Sequence, residues 1–118
     1  MAPQFLLPET VVVANGGSPA TAIPQGLRAV QVTLGITTSV EQQSIDVSIE
    51  ASTDGATWLA KAVAAFPQRF YVGTSALVID LPFEPKIHFL RLRWHVNRWG
   101  RGSLQPHFGL YAVLEPLG

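Results

Sequence analysis

The 118-residue chain has no cysteine, a single methionine and few charged residues. Without cysteine it can form neither disulfides nor thiolate metal sites, and it has no thiol nucleophile. Charged residues make up 14% of the sequence, against about 25% in ordinary soluble domains. With 47% hydrophobic residues, much of the surface must be uncharged. We expect other subunits to cover part of it, although a β-rich domain with a Ser, Thr and Gln surface is the alternative.

The chain also lacks an overall charge, but the two halves differ. Residues 1–59 carry one base and five acids, a net charge of −4, and residues 60–118 carry seven bases and three acids, a net charge of +4. This polarity can join the halves within one sandwich or join successive subunits. The zero net charge and the presence of only two lysines argue against nucleic-acid binding.

Long apolar runs are missing as well. The stretch before Glu9 has no basic residue and only Phe5–Leu7 as an apolar run, so we expect no signal peptide and synthesis in the cytoplasm. Residues 10–27 are uncharged, but Asn15–Pro19 and Pro24 interrupt them, and no membrane span fits.

Alternation of apolar and polar residues is the strongest pattern present. Residues 45–51 alternate with period two, and Ser52–Trp58 then reads Ser-x-Asp-Gly-x-x-Trp, a hairpin turn in which Asp-Gly tolerates positive φ. Trp58 is expected to begin the return strand. Residues 30–36 and 87–96 alternate in the same way. The inward side chains predicted for the three strands are Val30, Val32, Leu34, Ile36, Ile45, Val47, Ile49, Ala51, Leu90, Leu92, Trp94 and Val96.

The remaining segments predict shorter elements. We expect Val11 and Val13 to point inward from a first strand, and a short strand to run over residues 70–72. In total the spacing predicts seven to eight short strands in one all-β domain over residues 1–118, an antiparallel two-sheet sandwich or jelly roll, with residues 1–9 as an extended N-terminal arm.

The arginine-rich segment 91–102 is the main candidate for chemistry. Arg91 and Arg93 point outward on one predicted strand, and Asp46 and Glu50 on another, so cross-strand ion pairs explain these four residues if the strands are neighbours. A binding surface is the alternative, because arginine forks grip carboxylate or phosphate groups.

The loop that follows this strand is the candidate partner or ligand site. Arg98, Trp99 and Arg101 lie beyond the ladder, and an exposed tryptophan at a loop tip is typical of an interface hot spot. The three histidines lack the spacing of a metal site, and no nucleophile or phosphate-loop motif is present. We therefore predict no catalytic residue, no metal and no cofactor, and a protein that is not an enzyme.

Two resemblances follow from these residues. The hairpin Val47–Trp58, with Phe89–Leu92 later in the chain, looks like the discoidin-type jelly roll, which implies binding of glycans or lipid headgroups through loops. The layout from about Val11 to Leu114, with Gly26–Arg28 leading into a long strand, resembles small β-sandwich accessory proteins of tailed-phage virions. That second resemblance implies a structural protein in a virion.

The sequence thus leads to two hypotheses of different class. The first is a non-enzymatic structural protein that forms homo-oligomers or decorates a larger assembly through uncharged surface. The second is a discoidin-like module that binds a glycan or an anionic surface through Trp99 and the arginines near it.

Overall fold

The computed structural model describes residues 3–24, 26–81, 86–99 and 105–117. Within these ranges there is no helix, and nine strands form two antiparallel sheets. The predicted two-sheet β-sandwich is confirmed, and three strands of two residues account for the higher strand count. The strands are β1 (Gln4–Val12), β2 (Gly16–Gly17), β3 (Thr21–Ala22), β4 (Ala29–Ser39), β5 (Gln43–Ser52), β6 (Ala64–Ala65), β7 (Gly73–Asp80), β8 (Phe89–Arg98) and β9 (Phe108–Leu117).

Each of the two sheets contains one long strand pairing without a register shift. Sheet A has the strand order β1-β9-β4-β7, and sheet B has the order β2-β8-β5-β6, with β3 also paired to β8. In sheet A, β4 pairs with β7 without a register shift from Ala29 opposite Asp80 to Ile36 opposite Gly73. In sheet B, β5 and β8 pair over their full length, from Gln43 opposite Arg98 to Ser52 opposite Phe89.

The core lies between the sheets and follows the predicted alternation. The inward faces of β4 and β5 are confirmed, because all eight predicted side chains are buried. Removing such side chains from water supplies about 1.5–3 kcal/mol each, which is the main force holding the sheets together. β9 contributes further fully buried side chains at the centre of the core, namely Phe108, Leu110, Ala112 and Leu114.

Strand β8 confirms most of its predicted inward face. Leu90, Leu92 and Val96 are buried, while Trp94 is half-buried and packs against the core. The Trp94 indole nitrogen donates a hydrogen bond of 3.0 Å to the carbonyl oxygen of Ala14. In sheet B, Trp94 lies between Val47 of β5 and Gly16 of the two-residue strand β2.

The prediction that Val11 and Val13 of the first strand point inward was wrong. Val12 is buried, whereas Val11 and Val13 are 61% and 40% exposed. Three consecutive valines carry no alternation, and the pairing of β1 with β9 contains two register shifts that local sequence does not reveal. From Gln4 onward, the residues expected to form an extended arm belong to β1 and pair with β9.

The chain between β5 and β7 also differs from the prediction. Trp58 makes a single bridge to Ser52 instead of starting a strand, and the chain returns along β5 irregularly until β6. The prediction of a strand over residues 70–72 was wrong, because these residues belong to no strand. Arg69 makes an isolated bridge to Ile45, the chain bends at Tyr71, and β7 begins at Gly73.

A close approach of two strands explains one glycine in sheet A. The ring of Tyr111 on β9 lies across Gly35 on β4, so that a Cβ at position 35 would stand 2.1 Å from a ring carbon. Only glycine leaves room for the ring there. Tyr111 therefore covers the outer face of sheet A without disturbing the pairing of β4 and β9.

Candidate functional site

The outer face of sheet B carries a cross-strand ion pair. Glu50 lies opposite Arg91, and Glu50 Oε1 is 2.8 Å from both Nε and Nη2 of that arginine. The Arg91 guanidinium also stands 3.9 Å above the centre of the Trp58 ring. Arg93 is farther away, with its Nε 3.8 Å from the same Glu50 oxygen. Arg91 is thus occupied within its own chain.

Asp46 takes a different position from the one expected of an arginine partner. It lies opposite His95 in the register of β5 and β8. Its Oδ2 accepts a hydrogen bond of 3.1 Å from the amide nitrogen of Gln68. Within the described ranges no arginine forms a salt bridge with Asp46. The ladder therefore consists of Glu50 with Arg91 and, more weakly, Arg93.

The Asp-Gly turn after β5 is held by the side chains of Ser52 and Asp54. Gly55 has a φ of +80°, as the predicted turn requires. Asp54 Oδ1 accepts hydrogen bonds of 2.8 Å from the backbone amides of Ala56 and Thr57. These bonds hold the pKa of the Asp54 carboxyl below its ordinary value of 3.8, with the Thr57 amide as the largest cause, because they favour the charged form.

This lowered pKa predicts an acid dependence of stability. The contribution of ionised Asp54 is present above pH 3.8 and is lost as the pH falls through its lower pKa in the folded state. Asp54→Asn keeps an acceptor oxygen but does not titrate. We therefore expect the wild type's advantage in unfolding free energy over Asp54→Asn to shrink as the pH falls below 3.8. Urea unfolding of both proteins at several acid pH values measures it, and a constant difference would contradict the assignment.

The predicted Arg98–Trp99–Arg101 site is only partly within the described structure. Arg98 is half-buried, and its Nη1 donates a 3.0 Å hydrogen bond to the carbonyl oxygen of Gln105. Trp99 is 43% exposed. Arg101 lies outside the described residues. The structure therefore ties Arg98 to its own chain and leaves Trp99 facing solvent.

Trp99 is joined by exposed side chains from another part of the chain. The Trp99 ring meets the Phe70 ring edge-on at 6.4 Å, and the Phe70 ring is 6.2 Å from Tyr71. Phe70, Tyr71 and Val72 are 39%, 81% and 62% exposed. We call Phe70, Tyr71, Val72 and Trp99 the aromatic cluster. Sequence reasoning missed its first three members, although two adjacent aromatics in a run without alternation were a signal.

Hydrogen bonds fix the segments that carry the cluster. The Trp99 amide donates to the carbonyl oxygen of Gln42 at 2.9 Å, and the Ser39 hydroxyl donates to that of Phe70 at 3.0 Å. Arg69, next to Phe70, exchanges two backbone hydrogen bonds with Ile45. The cluster is therefore presented by backbone that both sheets hold in place.

Buried Gln43 connects β5 to the start of β9 beside these segments. Its Oε1 accepts a 2.7 Å hydrogen bond from the His107 amide, and its Nε2 donates to the His107 carbonyl oxygen at 2.6 Å and to Ser39 Oγ at 3.0 Å. Gln43 is 1% exposed. The side chain thus clamps the end of the loop that follows Trp99.

A cavity of about 250 Å³ adjoins the aromatic cluster. Phe70 and Tyr71 line it together with Arg69 and the first residues of β7. The Arg69 Nε is buried and has no hydrogen-bond partner in the described part of the chain. An aromatic wall and an incompletely bonded guanidinium suit a carboxylate or a sugar more than an apolar ligand.

Charge is divided between the two sheets. The strands of sheet A contain no basic residue, and their acids are Glu9, Asp80 and Glu115. Valine, threonine and alanine occupy much of the outer face of sheet A, where Val11 and Val78 are about 60% exposed. Sheet B carries the mixed charges already described. Every basic residue on the described strands therefore lies in sheet B, on β8.

Other kinds of site receive no support from the described residues. In residues 3–24, 26–81, 86–99 and 105–117, no three His, Asp or Glu side chains are grouped as a metal site requires. Over the same ranges, no helix is long and apolar enough to cross a membrane.

The fold is similar to that of a solved structure, whereas the sequence matches no known protein family and no curated protein. Among solved structures, the chain resembles the PBSX exported protein XepA with a TM-score of 0.58 and 15% sequence identity. The alignment covers 99% of this chain but 38% of XepA, so the chain spans well under half of that protein. At this identity the likeness shows a shared fold and nothing finer.

Proposed function

We propose that this chain is a non-enzymatic structural protein that associates with itself or decorates a larger assembly. The aromatic cluster is the observation that carries the proposal. Four large side chains from two segments stay exposed side by side, and hydrogen bonds to both sheets hold their backbones. Rigid, clustered aromatics are the usual anchors of protein interfaces, and exposing them to water has no structural benefit.

Two further observations support assembly. Sheet A has an outer face with no basic residue and with exposed valines, which suits contact with another protein surface. The sandwich fold shared with XepA, an exported PBSX protein, agrees with the resemblance to tailed-phage accessory proteins. On that resemblance, the assembly is a virion.

Sedimentation velocity over a range of concentrations tests the proposal. We expect the wild type to form oligomers, and Tyr71→Ser/Val72→Ser to raise their dissociation constant about 10-fold or more, since loss of an interface anchor costs about 1–2 kcal/mol or above. The matched control is Val13→Ser/Ala14→Ser, two neighbouring exposed apolar residues that lie outside the strands of both sheets. A wild type that stays monomeric at high concentration and recovers no assembly partner would refute the proposal.

A glycan-binding module remains the second candidate, since the cavity beside the aromatic cluster combines aromatic rings with Arg69. Sugars stack on aromatic faces, and acidic sugars add a carboxylate that arginine binds. A glycan array with wild type and Trp99→Ala distinguishes the two. Binding that depends on Trp99, by a protein that stays monomeric, would favour this candidate over the structural one.

A further inference from the structure

The open edge of sheet A is formed by β7. This strand pairs with β4 on one side, and no described strand lies on the other. Over its eight residues it has no proline, no lysine or arginine and no register shift against β4. Natural sheets protect their edges with such features, because a bare row of backbone N–H and C=O groups pairs readily with another strand.

The other described edges are protected. The opposite edge of sheet A is β1, which contains Pro8 and Glu9 and two register shifts. The edges of sheet B consist of the two-residue strands β2, β3 and β6. Among the strands that the structure describes, β7 is therefore the one long edge that another strand can extend.

We propose that β7 pairs antiparallel with β7 of a second copy, joining two A sheets into one eight-stranded sheet across a two-fold axis. This inference rests on the proposed function, because it names the partner in the assembly. An edge paired with itself gives a closed, isologous dimer. Pairing with β1 of a second copy is disfavoured by the proline and the irregularities of that strand.

Charge determines the direction of the pairing. The strand ends at Asp80, which is exposed and has no salt bridge within the described ranges. Arg69 lies four residues before its start, is half-buried and has no salt bridge within the described ranges. Parallel pairing would set Asp80 beside Asp80. Antiparallel pairing brings the Asp80 end of each copy beside the Arg69 end of the other, where opposite charges attract.

The faces of the strand limit the register. Facing residues in a sheet point to the same side, and in β7 the outward residues are Thr74, Ala76 and Val78, while Ile79 is buried. The most symmetric registers therefore centre on Ala76 or on Leu77. In the first, Ala76 faces Ala76 of the second copy, and in the second it faces Val78. Both place an aromatic cluster at each end of the joined edges.

The absence of cysteine makes this register directly testable by disulfide trapping. In antiparallel sheets facing Cα atoms are about 4.5–5.5 Å apart, which is within disulfide range. Under mild oxidation we expect Ala76→Cys, or an equimolar mixture of Ala76→Cys and Val78→Cys, to form covalent dimers about 10-fold faster than the control. Ala65→Cys is the matched control, an exposed alanine on the edge strand β6. Rates equal to the control in both samples would overturn the pairing.

Charge reversal provides an independent readout. Asp80→Arg and Arg69→Glu should each weaken self-association about 10-fold, whereas their mixture should recover it, because each contact then joins opposite charges. Recovery supports the pairing, and equal weakness of the mixture overturns it. Wild-type mass measured alongside separates the two claims. An oligomer that fails to trap at β7 overturns this inference alone, and a strict monomer without a partner overturns the proposed function too.

Discussion

Gln43→Met is expected to lower the free energy of unfolding by about 2–4 kcal/mol. The substitution keeps the volume of the side chain but removes the acceptor for the His107 amide and the donor to its carbonyl oxygen. Gln43 is 1% exposed, so water does not replace those bonds without cost. Each partner left unsatisfied costs about 1–3 kcal/mol, which is more than the gain from burying a thioether.

Urea denaturation of Gln43→Met beside Gln68→Met measures this effect. Gln68 is exposed and makes one side-chain hydrogen bond, to Asp46, so its substitution should cost under about 0.5 kcal/mol. We also expect the Trp99 fluorescence environment to change only in Gln43→Met, since the clamp on His107 ends the loop that follows Trp99. Similar costs for the two variants would show that the clamp does not stabilise the fold.

The strands of the core were predictable because burial on one face imposes a period of two. Residues 30–36 and 45–51 show that period without interruption, and the structure buries them as expected. β1 was not predictable in phase, because Val11–Val13 are all apolar and the bulges against β9 decide which valine points inward. Register in such a strand depends on its partner, which local sequence does not identify.

The candidate site was predictable in one member only. Trp99 stood out as an aromatic at a predicted loop tip. Phe70 and Tyr71 looked like strand residues, and their exposure follows from a bend that Arg69 starts by bridging to Ile45. The sequence pattern did not single out Gln43. Its partner His107 is 64 residues away in sequence, so only the folded topology brings the pair together.

The charge asymmetry of the sequence gains a structural meaning. The pairing of β5 with β8 brings Glu50 from the acidic half against Arg91 from the basic half, so part of the asymmetry joins the halves within one chain. The acids on the strands of sheet A form no ion pair within the described ranges, and no strand of that sheet carries a base. Of these unpaired acids, Asp80 takes part in the proposed contacts between copies.

Ser52→Ala is expected to lower the free energy of unfolding by about 2–3 kcal/mol. Ser52 is fully buried, and its Oγ accepts hydrogen bonds from the amides of Asp54 at 3.2 Å and Gly55 at 2.8 Å. It lies 2.6 Å from the Thr57 carbonyl oxygen and 3.0 Å from Asp54 Oδ1, either of which can accept its proton. One hydroxyl thus closes the whole turn after β5, and alanine leaves its partners without a bond.

Ser48→Ala is the matched control, because Ser48 lies half-buried on the same strand and takes part in no side-chain hydrogen bond of the described structure. Its loss should cost under about 0.5 kcal/mol. Thermal and urea unfolding of both variants compare the two serines. Since the turn positions Trp58 beneath Arg91, Ser52→Ala should also loosen that contact and shift the Trp58 indole resonance in NMR spectra. A cost no greater than that of Ser48→Ala would mean that the Asp54 bonds alone maintain the turn.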